Sequence, residues 1–140
     1  MSLTLAIIKP DAVEGRKVGP ILARLEEEGF RIRAAKFLRL DPDQAGAFYA
    51  IHRDRPFYEP LKTFMTSGPV LALALEREDA VPRLREVIGA TDPAEAEAGT
   101  IRALCAENKE RNAIHASDSE ETARWELGFF FSTRELLGGA

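Results

Sequence analysis

With 140 residues, 45% hydrophobic and 30% charged, the chain has the make-up of a domain with its own core, and one domain over residues 1–140 is expected. A formal net charge of -4 excludes a protein held to nucleic acid or to a membrane surface mainly by long-range attraction, so any polyanion it binds is gripped locally. The lone cysteine, Cys105, can form no internal disulfide, and the start from Met1 to Leu5 shows neither a targeting segment nor a membrane span, so a cytoplasmic location is expected.

Leu3 to Ile8 is apolar and β-branched, with turn chemistry at Pro10-Asp11 behind it, and reads as a short buried strand. Gly19-Pro20 leads into Ile21, Leu22 and Leu25 at helical spacing, with Glu26 to Glu28 outside and Gly29 as the stop. Phe30, Ile32 and Ala34 alternate with Arg31 and Arg33, and the run through Phe37, Leu38 and Leu40 extends a long second strand. Asp41 offers a capping side chain ahead of Pro42, and Ala45, Phe48 and Tyr49 make a helical face up to His52. A second short helix is expected from Phe57 to Thr66. Beyond the turn Ser67-Gly68-Pro69, Val70 to Leu75 is apolar without interruption, as in a strand covered on both faces. Asp79 is placed to cap a helix carrying Val81, Leu84, Val87 and Ile88 and ended by Gly89, with Pro82 tolerated in its first turn.

Ala90 to Gly99 has no usable periodicity and reads as an ordered surface loop or a weak helical turn, a kind of segment that often carries function. Ile101 to Cys105 reads as a short apolar turn, Asn112 to Ala116 as a brief strand, and Asp118 with Glu121 as a capping box for a last helix. Leu127 to Phe131 fits either the buried end of that helix or a further strand, and Gly138-Gly139-Ala140 is expected to fray. Without repeats, low-complexity tracts or linkers, the pattern is α+β, with about four strands and helices against the sheet.

In an extended segment alternate side chains share a face, so His115 and Ser117 point one way and Ala116 the other. A histidine beside a hydroxyl suggests a positioned imidazole, whereas a lone histidine on a half-apolar strand is more often a satisfied core or surface residue. Lys9, Arg85 and Arg102 lie next to turn or loop chemistry, where a phosphate chain is gripped by guanidinium groups and hydroxyls such as Thr91; taken singly, each reads as a surface charge. Tyr49, Phe57, Tyr58 and Leu61 sit around Arg55-Pro56, as an apolar clamp on a flat ring or as plain core. Glu126, after Trp125, either orients an imidazole or is an exposed helix charge. Neither a Gly-rich phosphate loop nor metal-ligand spacing is present, since His52 and His115 are the only histidines.

Read in order, Ala6-Ile7-Ile8-Lys9-Pro10-Asp11-Ala12-Val13, His52 through Arg55-Pro56-Phe57-Tyr58, Ser67-Gly68-Pro69-Val70, Gly89-Ala90-Thr91-Asp92-Pro93, Gly99-Thr100-Ile101-Arg102 and Asn112-Ala113-Ile114-His115-Ala116-Ser117-Asp118-Ser119 resemble the nucleoside diphosphate kinase family over nearly the whole chain. The resemblance implies a ferredoxin-like βαββαβ sandwich with a four-stranded antiparallel sheet, a helical hairpin inserted at roughly Asp41 to Thr66 as a wall of the nucleotide cleft, and a C-terminal helix. It makes Leu127 to Phe131 the end of that helix. The implied activity is transfer of the γ-phosphoryl group of a nucleoside triphosphate, typically ATP, to a nucleoside diphosphate by a ping-pong route through a phosphohistidine.

By matched position, His115 is similar to the family's phosphorylated histidine, attacking through Nδ1, with Glu126 and Ser117 fixing the ring from behind. Arg85, Thr91 and Arg102 look like the phosphate grip, Lys9 and Asn112 like the groups on the sugar hydroxyls, Tyr49 like a support for Lys9, and Phe57 with Leu61 like the apolar slot for the base. Such relatives use Mg²⁺ bridging the nucleotide phosphates without a dedicated protein cage, and assemble as homo-oligomers, hexamers or tetramers, with no membrane and no specific nucleic acid as partner. The chain departs from the family at Ala116, where glycine is usual, and at Ala98, where proline is frequent; these touch only backbone freedom and loop stiffness. The alternative readings are hydrolysis in the same cleft, a nucleotide-binding regulatory protein of this fold without efficient phosphotransfer, and an RNA-binding module, which the acidic balance disfavours.

Overall fold

Alternate side chains of the first strand enter two different cores, and this alternation organises the molecule. The computed structural model describes residues 1–138. Its first strand, β1 (Ser2–Ile8), is followed by helices α1 (Pro10–Glu14) and α2 (Val18–Glu27), strand β2 (Arg31–Leu38), helices α3 (Pro42–Phe48) and α4 (Tyr58–Met65), and strand β3 (Val70–Arg77). Helices α5 (Ala80–Ile88) and α6 (Ile101–Cys105), strand β4 (Ile114–Ala116), and helices α7 (Glu120–Phe130) and α8 (Thr133–Gly138) complete the order. The sheet is antiparallel throughout, in the order β2-β3-β1-β4. This is the expected α+β sandwich.

Ala6 and Ile8 of β1, with Leu73 and Leu75 of β3, pack with Ile21 and Leu25 of α2 and Leu84 and Ile88 of α5. Leu5 and Ile7, with Ala72 and Ala74, belong to a second cluster with Phe48, Met65, Leu127 and Phe130, which brings in α3, α4 and α7. Strands buried on both faces need no polar side, and this accounts for the unbroken apolar runs at Leu5–Ile8 and Val70–Leu75. Each fully buried leucine or isoleucine contributes about 1.5–3 kcal/mol, so the central strands are the chief source of stability.

Most element boundaries agree with the sequence reading, and the exceptions have physical causes. Pro10-Asp11, read as a turn, opens α1, whose five residues are too few to show a period. The helix expected up to His52 ends at Phe48 and continues as a 3-10 turn over Ala50–His52. Its start is as expected, with Asp41 and Gln44 forming a reciprocal capping box ahead of Pro42. Ile101–Cys105, read as a turn, is helix α6, capped by the Thr100 side chain. Asp79 does not cap α5: its backbone is left-handed at φ 52, and the Ser2 hydroxyl accepts from Ala80 N–H at 3.1 Å in its place. Asp118 with Glu121 does not form the capping box of α7 either; the neighbouring Ser119 takes the cap and accepts from Thr122 N–H. Leu127 to Phe130 is the end of α7. An unexpected helix, α8, follows on a capping box between Ser132 and Glu135. Of the end expected to fray, Gly138 is the last residue of α8, and Gly139 and Ala140 lie outside the described residues.

Candidate active site

Strand β4 pairs with β1 in a register that sets His115 opposite Ile7 and Ala116 opposite Ala6. His115 therefore points to the cluster containing Phe48 and Tyr49, while Ile114 and Ala116 enter the other. The rings of Phe48 and Tyr49 meet the imidazole edge-on, with centroids 5.4 and 6.1 Å away. Behind it, Nε2 lies 2.8 Å from Glu126 Oε1, and the Ser117 hydroxyl donates to the same oxygen at 2.7 Å. A carboxylate oxygen only accepts, so Nε2 carries a proton, and in the neutral ring the lone pair then lies on Nδ1. The ring is thus anchored through Nε2, with Nδ1 on its opposite side. Glu126 is 7% exposed, a buried carboxylate rather than a helix surface charge.

Ala113, two residues before His115, has φ 74, and Ile114 N–H donates to Asn112 O at 2.9 Å across it. That closes a γ-turn of the positive-φ kind, which costs an alanine on the order of 1–3 kcal/mol. Three contacts tie it to the chain after β1. Lys9 N–H donates to Ala113 O at 2.9 Å, Ala113 N–H donates to Asp11 Oδ2 at 3.0 Å, and Lys9 Nζ donates to Asn112 Oδ1 at 2.8 Å.

The arginines bracket His115 through its neighbours' carbonyls. Arg102 donates to Ile114 O at 2.8 Å and to Gly89 O at 3.1 Å, and Arg85 reaches Ala116 O at 3.5 Å. Gly89 has φ 88, and a Cβ there would come within 2.5 Å of the Thr100 hydroxyl, so only glycine lets α6 approach the end of α5 this closely. Asn112 Nδ2 reaches Thr91 O at 3.5 Å, which brings the exposed Thr91 to the same rim.

Lys9, Arg85 and Arg102 form no ion pair among the described residues. Burial, and then the charge of Arg102, lower the Lys9 ammonium to about 8, with Asp11 opposing. Burial and the charge of Arg85 lower Arg102 to about 10. Burial and then the charge of Glu126 push the Tyr49 phenol up. Three cations that repel one another beside an anchored imidazole make a place for a polyanion.

Lys9, Thr91, Arg85, Arg102, Asn112, His115, Ser117 and Glu126 are thus joined by hydrogen bonds or shared neighbours. Tyr49 lies beside the imidazole, but its hydroxyl has no hydrogen-bond partner, so it gives Lys9 no direct bond. Phe57 and Leu61 stand apart on the helical hairpin. Phe57 is 48% exposed with His52 5.2 Å away, and Leu61 packs against the cluster that holds Tyr49. Sequence reading passed over Phe48 and Asp11 as site residues. Phe48 was visible as part of a helical face but not as a wall of the imidazole. Asp11 lies in the segment Ala6 to Val13, and its 8% exposure is set only by folding.

Comparison with known proteins adds an independent line. The family model described as nucleoside diphosphate kinase matches residues 2–136. The chain is 53% identical over 133 residues to nucleoside diphosphate kinase 1 of Protochlamydia amoebophila, covering 95% of this chain and 94% of that one. An orthorhombic crystal structure of the Aquifex aeolicus nucleoside diphosphate kinase superposes with a TM-score of 0.95 at 50% identity, covering 97% of this chain and 99% of that one. The Halobacterium salinarum nucleoside diphosphate kinase, solved in complex with CDP, gives a TM-score of 0.92 at 39% identity and covers 97% and 91%.

Proposed function

Because the chain belongs to the nucleoside diphosphate kinase family and transfers a phosphoryl group from a nucleoside triphosphate to a nucleoside diphosphate, we propose that the transfer runs through Nδ1 of His115. The observation that carries this reading is the Nε2 contact with Glu126, which in the neutral ring puts the lone pair on Nδ1, near a cluster of unpaired cations. The triphosphate enters with its terminal phosphorus in line with Nδ1. The Nδ1 lone pair forms the P–N bond as the bond to the bridging oxygen breaks, and the diphosphate leaves with that electron pair. A second diphosphate then takes the phosphoryl group back by the reverse displacement.

Phosphoryl transfer asks mainly for positioning and charge neutralisation. Arg85, Arg102 and Thr91 grip the phosphates, Lys9 and Asn112 the sugar hydroxyls, and Glu126 balances the positive charge that grows on the ring. Phe57 and Leu61 hold the base by its face and leave its edge unread, so purines and pyrimidines are both accepted, in ribo and deoxy forms. Mg²⁺ fits as a cation carried on the nucleotide. No three His, Cys, Asp or Glu side chains converge to hold a metal among the described residues, so phosphates and water would supply its oxygens, and it would neutralise phosphate charge.

Two further parts of the proposal are an assembly of identical chains and a cytoplasmic location. The free edge of β2, with Phe37 63% exposed, supports the first; sedimentation equilibrium distinguishes hexamer, tetramer and monomer. The second accords with the finding that no helix among the described residues is long and apolar enough to cross a membrane. The nucleophile is tested by incubation with labelled ATP. An acid-labile, alkali-stable phosphoryl group that His115→Ala removes without unfolding the chain is expected, and label retained by that variant overturns the assignment.

A further inference from the structure

Asp11 is a buried acid that the proposed reaction does not use. Its Oδ2 accepts from the N–H of Ala113, the strained centre of the γ-turn before His115, while its Oδ1 has no hydrogen-bond partner. Ala113 is fully buried, so without this carboxylate its N–H has no acceptor and no water to turn to. Pro10 at the first position of α1 sets the backbone that delivers Asp11 to this point. Only the turn separates Ala113 from the strand carrying the imidazole. Were φ at Ala113 to relax to a negative value, the peptides on either side would rotate. Asn112 would shift against Lys9 and the start of β4 against β1, away from the register that brings Nε2 to 2.8 Å from Glu126.

We propose that Asp11 is a positioning residue for His115: its carboxylate holds the Ala113 turn in the positive-φ conformation and thereby aims the imidazole. The proposal rests on the reading of His115 as nucleophile. It also makes a specific demand. If Asp11 acts by holding that backbone, glycine at position 113, which adopts φ above zero without a side-chain clash, makes Asp11 dispensable.

The test is a cycle of Asp11→Ala, Ala113→Gly and the double variant, with Asp11→Asn as the conservative replacement that keeps an acceptor oxygen. Asp11→Ala is expected to lower kcat about tenfold to a hundredfold with little change in KM. Asp11→Asn should stay within about threefold of the parent, because the turn needs an acceptor rather than a charge. The double variant should match Ala113→Gly alone, and this comparison decides the matter even where Asp11→Ala fails to fold. A further tenfold loss on adding Asp11→Ala to Ala113→Gly overturns the proposal, as does a parental kcat in Asp11→Ala. Nitrogen-15 NMR of the His115 ring separates this proposal from the nucleophile assignment. Loss of the Nε2–H form in folded Asp11→Ala supports positioning whether or not His115 takes up phosphate, and unchanged ring signals refute it. Labelling of the parent enzyme with ATP tests the nucleophile by itself.

Discussion

Replacing Glu126 tests how much of the rate comes from anchoring the imidazole. Its Oε1 accepts from His115 Nε2 at 2.8 Å and from Ser117 Oγ at 2.7 Å, and the carboxylate is 7% exposed, so both bonds form where water competes little. In the proposed reaction positive charge develops on the ring as the P–N bond forms, so the contact is stronger in the transition state than before it, and its loss falls on kcat. A hydrogen bond to a charged group contributes about 1.5–3 kcal/mol, which puts Glu126→Ala between roughly tenfold and a hundredfold slower. Glu126→Gln keeps an acceptor without charge. Neutral bonds are about half as strong, so its loss is tenfold or less. The assay is single-turnover labelling of His115 by ATP in rapid quench, with ADP affinity measured separately and expected to hold within about threefold because no nucleotide contact is removed. Labelling of Glu126→Ala at the parental rate, or a loss confined to affinity, refutes the reasoning.

Arg85→Ala and Arg102→Ala should each cost on the order of 2–4 kcal/mol of transition-state stabilisation, read from kcat/KM. Thermal melting tells them apart: Arg102 also binds Gly89 O and Ile114 O, so its loss lowers the midpoint, whereas the exposed Arg85 is expected to leave it nearly unchanged. Lys9 is lowered from 10.5 to about 8, so between those values the unfolded chain holds the extra proton and stability rises with pH. Lys9→Met removes the penalty of a buried charge at pH 7 but also the bond to Asn112, for a net gain of roughly 2 kcal/mol in urea unfolding that shrinks towards pH 10.5, with activity lost. A variant less stable than the parent at both pH values contradicts this.

What could be read beforehand was whatever depends on neighbours in sequence. The alternation that sends His115 and Ser117 to one face is a property of any strand, and Ala116 sits in β4 opposite Ala6, absent from the positive-φ residues and packed into the core away from the imidazole. The usual glycine is therefore not required there. What stayed hidden depends on distant partners. The Ser2 hydroxyl serves α5 from 78 positions away, while the apparent cap, Asp79, adopts a left-handed backbone that no local pattern announced. Asp118 and Ser119 are both good capping residues side by side, and propensity alone does not choose between them. Local pattern left Glu126 open between an imidazole anchor and an exposed helix charge, and only the docking of α7 on β1 buries it. The strain at Ala113 was invisible, since alanine is an unusual choice for φ 74 and only the closure of the turn demands it.

The Ser2 cap has a practical side. Its hydroxyl accepts from the first amide of α5 and donates to Arg77 O at 3.3 Å, so the first residue of β1 helps seat the helix whose last turn carries Arg85. Tension applied through a purification tag, fluorescent fusion or surface anchor joined ahead of residue 2 is expected to load that seat. A slack linker there, or attachment elsewhere, keeps an immobilised or fused preparation representative of the free enzyme, and a rate that varies with linker length would trace this mechanical route from terminus to guanidinium.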